Sequence, residues 1–269
     1  MVAGRGLAAS AAAATPATRR SANTGARSIA ASIPYVRVLS VVHQIDAGSG
    51  VFGAVAARRA EEVLEWIPVQ GPPPGGEFDA VMVFGGGMHP DQEEKHPWLR
   101  GEKELIRGWL DAGVPMLATC LGSELLAEAA GGRTERMPEP QIGWHEVALA
   151  SGANGDPVVA GLPATFTAFQ WHSYATPLPD GAVCLAQGGT HADAFRIGDA
   201  WGFQFHAEVT ADIVGGWLDR YAEDEDAVGI GFDPGPVRIE TGERIEAWNA
   251  IGERIAEAFF EHVHATVGG

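Results

Sequence analysis

The sequence predicts an α/β protein built on a doubly wound, mostly parallel sheet with antiparallel strands added to it. Two observations carry that expectation. Apolar, β-branched runs at 35–43, 78–84 and 114–119 are separated by stretches of helical spacing. Strands that alternate with helices in this way form parallel βαβ units. Beyond Gly131-Gly132 the texture changes to short apolar runs with short connections, the spacing of hairpins.

Taken in order, residues 1–33 are rich in Ala, Ser, Thr, Gly and Arg, with no aromatic and no acidic residue. That composition cannot bury a core, and it lacks the apolar centre of a secretory signal. The expectation is a disordered N-terminal extension followed by one domain over 34–269. Tyr35–His43 reads as the first buried strand. Phe52–Leu64 has helical spacing, and Glu65–Val69 follows as a short strand. Gly71–Gly76 is a loop by its Gly and Pro content. Phe78–Phe84 is the next strand and runs into Gly85-Gly86-Gly87. Leu99–Ala112 reads as an amphipathic helix closed by Gly113.

The later strands are expected at 143–149, 165–171, 182–186, 194–197 and 201–205. A helix is expected over Ala211–Tyr221, and the acidic run 223–226 reads as its solvated end. A Gly/Pro-rich loop near 229–236 then leads to a last amphipathic helix over Arg244–His264.

Bulk properties exclude several function classes. The net charge is −17, and because five arginines precede the first acid, Asp46, the remainder carries −22. A body this acidic repels phosphate backbones and anionic lipid, so neither nucleic acid nor a membrane surface is an expected partner. No apolar run reaches the roughly 18 residues of a membrane span. Cys120 and Cys184 are too few for a disulfide framework or a cysteine-based metal site, which fits a reducing, cytoplasmic setting. The histidines show no metal-ligand spacing on one element, and no metal or cofactor is expected.

The chemistry centres on Val114–Ala127. An apolar strand ends in Cys120, Gly122 follows two residues later, and a helix-forming stretch begins at once. This is the layout of a nucleophile elbow, with Cys in place of Ser. A cysteine at a helix N-terminus also feels the positive end of the dipole, which favours thiolate. A thiolate needs a base, and the base needs an orienting group. An apolar strand ending in His206, with Glu208 two residues on, offers both, because residues i and i+2 of an extended chain point the same way. Gly85–Gly87 at a strand end could turn amides toward a developing oxyanion, with the Leu121 amide as second donor.

These motifs resemble class I glutamine amidotransferases, especially free-standing proteins similar to the amidotransferase half of GMP synthase. The match runs in order over about 36–220. It comprises Val83–Met88, Thr119-Cys-Leu-Gly122 with Leu125–Ala127 and Gly131-Gly132, Gly143-Trp144, Trp171-His172 and Gly202–Glu208. The resemblance implies a flavodoxin-like sheet, a Cys120–His206–Glu208 triad acting through a thioester, and an oxyanion hole from Gly86 and Leu121. It also implies contacts to a small-molecule substrate at Gly85, Gly87, Glu124, His172 and Ser173. The ammonia acceptor it implies is a possible separate synthetase.

Two stretches depart from the family pattern. After the elbow glycine the family usually has His or a similar residue and then Gln, where this chain has Ser123 and Glu124. That Gln usually helps to bind the amino-acid part of glutamine, and a carboxylate there repels an α-carboxylate unless protonated or re-aimed. Ser173-Tyr174 replaces the Gly-Asp often seen after Trp-His. Three readings follow. They are a glutamine amidotransferase or glutaminase, a γ-glutamyl peptidase or amidase acting on conjugates, and a non-enzymatic redox or binding protein on the same sheet. The His206–Glu208 pair counts against the third.

Overall fold

The computed structural model describes residues 36–189 and 191–268; the expectation for 1–33 lies outside the described residues. The apolar runs form three neighbouring parallel strands, β1 (Arg37–Val41), β3 (Ala80–Val83) and β4 (Met116–Thr119). Between them lie α1 (Gly50–Arg58), β2 (Glu62–Trp66) and α2 (Trp98–Asp111). Helix α3 (Leu121–Ala129) follows β4 directly. The chain then makes β5 (Glu135–Leu149), β6 (Thr165–Ala175), β7 (Val183–Gln187), β8 (Ala192–Ile197) and β9 (Ala200–Phe203). It ends with α4 (Ala211–Arg220), α5 (Glu225–Gly229) and α6 (Pro234–Val267).

Among the described residues the strands join one sheet in the order β2-β1-β3-β4-β9-β8-β7-β5-β6. The first five are mutually parallel, and the remaining neighbours pair antiparallel. The parallel half has the flavodoxin-like order, whose reversal point lies between β1 and β3. Alternation along the strands divides the core in two. Val38, Met82 and Leu117 face one cluster, which α1, α4 and α6 cover with Phe52, Trp217 and Phe259. Leu39, Val81, Val83 and Ala118 face the other, covered by Leu99 and Ile106 of α2 and Leu125 of α3. Burying each such side chain contributes about 1.5–3 kcal/mol, and strands buried on both faces read as continuous apolar runs.

Several boundaries differ from expectation: β2 lies at Glu62–Trp66 rather than 65–69, β5 begins at Glu135 rather than 143, and four further differences have a clear cause. The helix expected over 52–64 stops at Arg58, because Ala60 turns the chain with φ +60° and Val63 and Leu64 join the ladder opposite Val38 and Leu39. The strand expected among the hairpins at 201–205 is instead β9, the fifth parallel strand, and it ends at Phe203. The acidic run is not merely a solvated end, since Asp224 caps α5 and Asp226 accepts hydrogen bonds from Ser173 and Arg136. The last helix begins ten residues early, at Pro234, where Asp233 caps it and proline's fixed φ suits the first position.

Helix α6 clamps the segment after β9. Trp248 Nε1 donates to the His206 carbonyl at 2.8 Å, and Asn249 Nδ2 donates to the Val209 carbonyl at 2.7 Å. Gly252 permits that approach, because a Cβ there would lie 2.1 Å from the Ala207 carbonyl oxygen. Gly252→Ala is therefore expected to cost about 1–3 kcal/mol despite the better helix propensity of alanine. Gly242→Ala in the same helix, where an added Cβ meets nothing within 4 Å, is expected to stabilise by up to about 1 kcal/mol. Thermal melts of the two variants would check the opposite signs, and equal shifts would refute the clamp.

Candidate active site

The carboxyl ends of β1, β3, β4 and β9 converge on one cavity of about 360 Å³, where a doubly wound sheet places its ligand. Cys120 sits at the strand-to-helix turn with φ +52° and is 7% exposed. For a residue bearing a Cβ this backbone is strained, and the surroundings hold it. The Cys120 amide donates to the Phe203 carbonyl at 2.7 Å. Gly122 lets the first turn of α3 press on β3, since a Cβ there would lie 2.2 Å from the Val83 carbonyl oxygen. The turn also aims the first amides of α3, which have no partner inside the helix, past the cysteine.

The sulfur lies 3.6 Å from the Trp171 carbonyl. The His206 ring stands close by: a Cβ built on Gly85 would touch His206 Cε1 at 3.0 Å and Cys120 Sγ at 3.8 Å. His206 Nδ1 bonds Glu208 Oε1 at 2.8 Å, while Nε2 is buried with no hydrogen-bond partner among the described residues. The expected strand geometry is not the cause of this pairing. After Phe203 the chain swings to β6, where the His206 amide donates to the Phe169 carbonyl, and the pair forms in an irregular segment. Trp217 packs edge-on against the imidazole, with ring centres 4.8 Å apart.

Burial alone would lower the His206 pKa, but the Glu208 carboxylate and the neighbouring cysteine raise it well above the ordinary value. Burial pushes the Cys120 thiol up, and His206 pulls it down. The imidazole is thus a stronger base than free histidine.

Gly86 and Gly87 line the cavity with Cys120. The Gly87 amide is taken by the Gln44 side chain. Gln44, Asp46, Met88, His96, Trp171, Trp217, Tyr221 and Asp224 complete the wall, and the sequence patterns single out none of them as a site residue. The position of Gln44 and Asp46 just past β1, at the reversal point of the sheet, is the available signal.

Gly85 borders Cys120 and His206 but is not part of the cavity wall, and three further expected substrate contacts lie elsewhere. Glu124 is 4% exposed, is absent from the cavity wall and accepts from Gln204 Nε2 at 2.9 Å. Desolvation raises its pKa to about 7, only partly offset by that hydrogen bond. His172 is pushed down to about 4 by burial. It is therefore neutral: Nδ1 donates to the Tyr174 carbonyl at 2.7 Å, and Nε2, 3.1 Å from the Gln141 carboxamide, accepts a hydrogen bond when that carboxamide turns its nitrogen toward the ring. Ser173 donates to Asp226, and neither belongs to the cavity wall. All three side chains are engaged by neighbours outside the cavity wall.

Comparison with known proteins identifies the family. The family described as Glutamine amidotransferase class-I matches residues 49–215. The glutamine amidotransferase-like protein YfeJ of Salmonella typhimurium is 30% identical over 224 residues, covering 80% of this chain and 91% of its own. One component of the glutamine-hydrolysing GMP synthase of Ignicoccus hospitalis is 33% identical over 144 residues, 51% of this chain and 71% of that one. A glutamine amidotransferase of Thermotoga maritima superposes with a TM-score of 0.76 at 26% identity, over 84% of this chain and 98% of that one. A family match running from the start of α1 into α4, with a relative aligned over nearly its whole length, leaves one assignment: this chain is a member of the class I glutamine amidotransferase family.

Proposed function

We propose that the protein hydrolyses the side-chain amide of glutamine through a Cys120 thioester and releases ammonia. The observation that carries the reading is a positive-φ Cys120 at a helix N-terminus beside a Glu208-backed imidazole in one cavity. In this reading His206 Nε2 takes the Sγ proton as sulfur attacks the amide carbon. The Gly86 and Leu121 amides hold the oxyanion. His206 then returns the proton to the departing nitrogen, ammonia leaves, and a thioester remains. Water, deprotonated by the same imidazole, hydrolyses the thioester to glutamate and free thiol. Glu208 keeps the ring oriented and balances its positive charge. The Ignicoccus relative is by name one subunit of a synthase, which supports a separate synthetase partner as ammonia acceptor here too.

A second reading has its own observation. The cavity wall carries two carboxylates, Asp46 and Asp224, and no Lys or Arg among its described residues. Tyr221 and Arg220 both engage Oδ2 of Asp46, and the Ala227 amide engages Oδ1 of Asp224, so one oxygen of each is left over. Carboxylates between Trp171, Trp217 and Tyr221 favour a γ-glutamyl amide with a cationic amine.

Ammonia release from glutamine, and amine release from γ-glutamyl amides of a diamine and of a neutral alkylamine, would test both. Cys120→Ala is expected to lose at least about 10³-fold in rate, and Glu208→Gln about 10²-fold or more. Release that persists in Cys120→Ala sinks the mechanism. Diamine conjugates turned over in place of glutamine would select the second reading.

Glu124 does not bar glutamine, because it is buried outside the cavity wall. It should instead appear in stability. A carboxyl whose folded pKa of about 7 exceeds its unfolded value binds its proton more tightly when folded, so it destabilises increasingly as pH rises from about 4.5 through 7. Glu124→Gln is expected to be nearly neutral at pH 4.5 and stabilising by on the order of 2–3 kcal/mol at pH 8. The new amide can also donate to Gln204 Oε1, which is buried with no partner among the described residues. Denaturant titrations at the two pH values would check this, and a pH-independent difference would refute it.

A further inference from the structure

Behind the glycine loop lies a buried pair that the proposed chemistry does not use. His43 follows β1 and Glu102 lies on the inner face of α2, and both side chains are fully shielded from solvent. His43 Nε2 bonds both oxygens of Glu102, at 2.9 and 3.1 Å. His43 Nδ1 faces the carbonyls of Phe84 and Gly85, at 2.9 and 3.2 Å. Carbonyls only accept, so Nδ1 carries a proton, and a carboxylate at Nε2 calls for a proton there too. Burial alone would lower this histidine, but Glu102 raises it above its ordinary value, which agrees with a charged ring. Trp98 stacks on that ring at 5.5 Å and 20°, fixing its plane.

The consequence lies in one peptide unit. In a planar trans peptide the carbonyl and the following N–H point in opposite directions. A Gly85 carbonyl held toward His43 therefore turns the Gly86 N–H away from His43. His43 is outside the cavity wall and Gly86 is part of it. The packing leaves little play, since a Cβ on Gly86 would lie 2.8 Å from His43 Cβ.

We propose that His43, anchored by Glu102, is a positioning residue that locks the Gly85–Gly86 peptide with its N–H toward Cys120. The inference rests on the reading of that N–H as an oxyanion donor. It predicts more than a stabilising contact, because glycine peptides flip readily unless one orientation is held. A flipped peptide would present a carbonyl where the oxyanion forms.

Two isosteric replacements separate positioning from structure. Asparagine places its amide nitrogen near the Nδ1 position, and glutamine places its own near Nε2. Each is paired with Glu102→Gln, so that neither variant strands a buried carboxylate. The double variant His43→Asn/Glu102→Gln keeps a donor for the Gly85 carbonyl and is expected to keep kcat within about threefold of wild type. The double variant His43→Gln/Glu102→Gln loses that donor and is expected to lose at least about tenfold in kcat at nearly unchanged KM. Glutamine and a chromogenic γ-glutamyl anilide are the substrates. Alkylation of Cys120 by iodoacetamide needs the thiolate but no oxyanion hole, so its rate should be alike in both variants.

Equal kcat values in the two variants, or kcat falling in step with alkylation or with melting temperature, would overturn the positioning role. Absence of Cys120-dependent turnover in the wild type would overturn the functional reading and this inference together. Turnover with indistinguishable variants would overturn the inference alone.

Discussion

Everything at the site depends on how closely α3 can approach β3. Gly122 rests against the Val83 carbonyl with no room for a methyl group, and Cys120, two residues earlier, takes a backbone conformation that side chains avoid. Strain of this kind costs on the order of 1–3 kcal/mol and persists only when neighbours impose it. Here the neighbours are the parallel ladder between β4 and β9, extended by the Cys120 amide to Phe203, and the apolar underside of α3. A thiol set on a flatter turn would lie along the sheet; this turn raises it into the cavity at the strand ends.

The parallel half of the fold is legible in the sequence because buried parallel strands leave an unmistakable trace. Runs such as Ala80–Val83 are apolar on both faces, since helices cover both. Legibility ends where a local pattern competes with a tertiary partner. Val63 and Leu64 continue the helical spacing of α1, yet the ladder with β1 claims them. The Gly/Pro-rich stretch near 229–236 has the composition of a loop, yet from Pro234 a capped proline start and packing on β5 and α4 make it helical. Neither outcome can be read without knowing what lies opposite.

At the site, residues carried by rigid geometry are legible, and those carried by long-range folding are not. Cys120 is marked by the glycine after it, and Gly85–Gly87 by the strand before them. The His206–Glu208 pairing is expected from extended-chain alternation, but its cause is different, since the segment is irregular and held by β6 and α6. His172 and Ser173 belong to a strand that runs past the cysteine, but their side chains are engaged by Gln141, Tyr174 and Asp226 instead. Asp224 is hidden in an acidic run, where every residue looks equally solvated until one of them caps a helix.

Three buried glutamates around this cavity show how one residue type serves three ends. Glu208 is held against His206, so its charge strengthens a base. Glu102 is held against His43 and, through it, touches only backbone carbonyls, so its charge acts on geometry. Glu124 has a neutral amide for a partner and is driven toward its protonated form. The difference is set by the partner rather than by depth, since all three are deeply buried. A buried carboxylate keeps its charge where an imidazole can share it and gives it up where only a carboxamide is offered. The partner thus separates Glu124, which replaces the family's usual glutamine, from the two glutamates that face an imidazole. At position 124 the substitution is chemically milder than its formula, because what faces Gln204 near neutral pH is close to an amide in shape and charge.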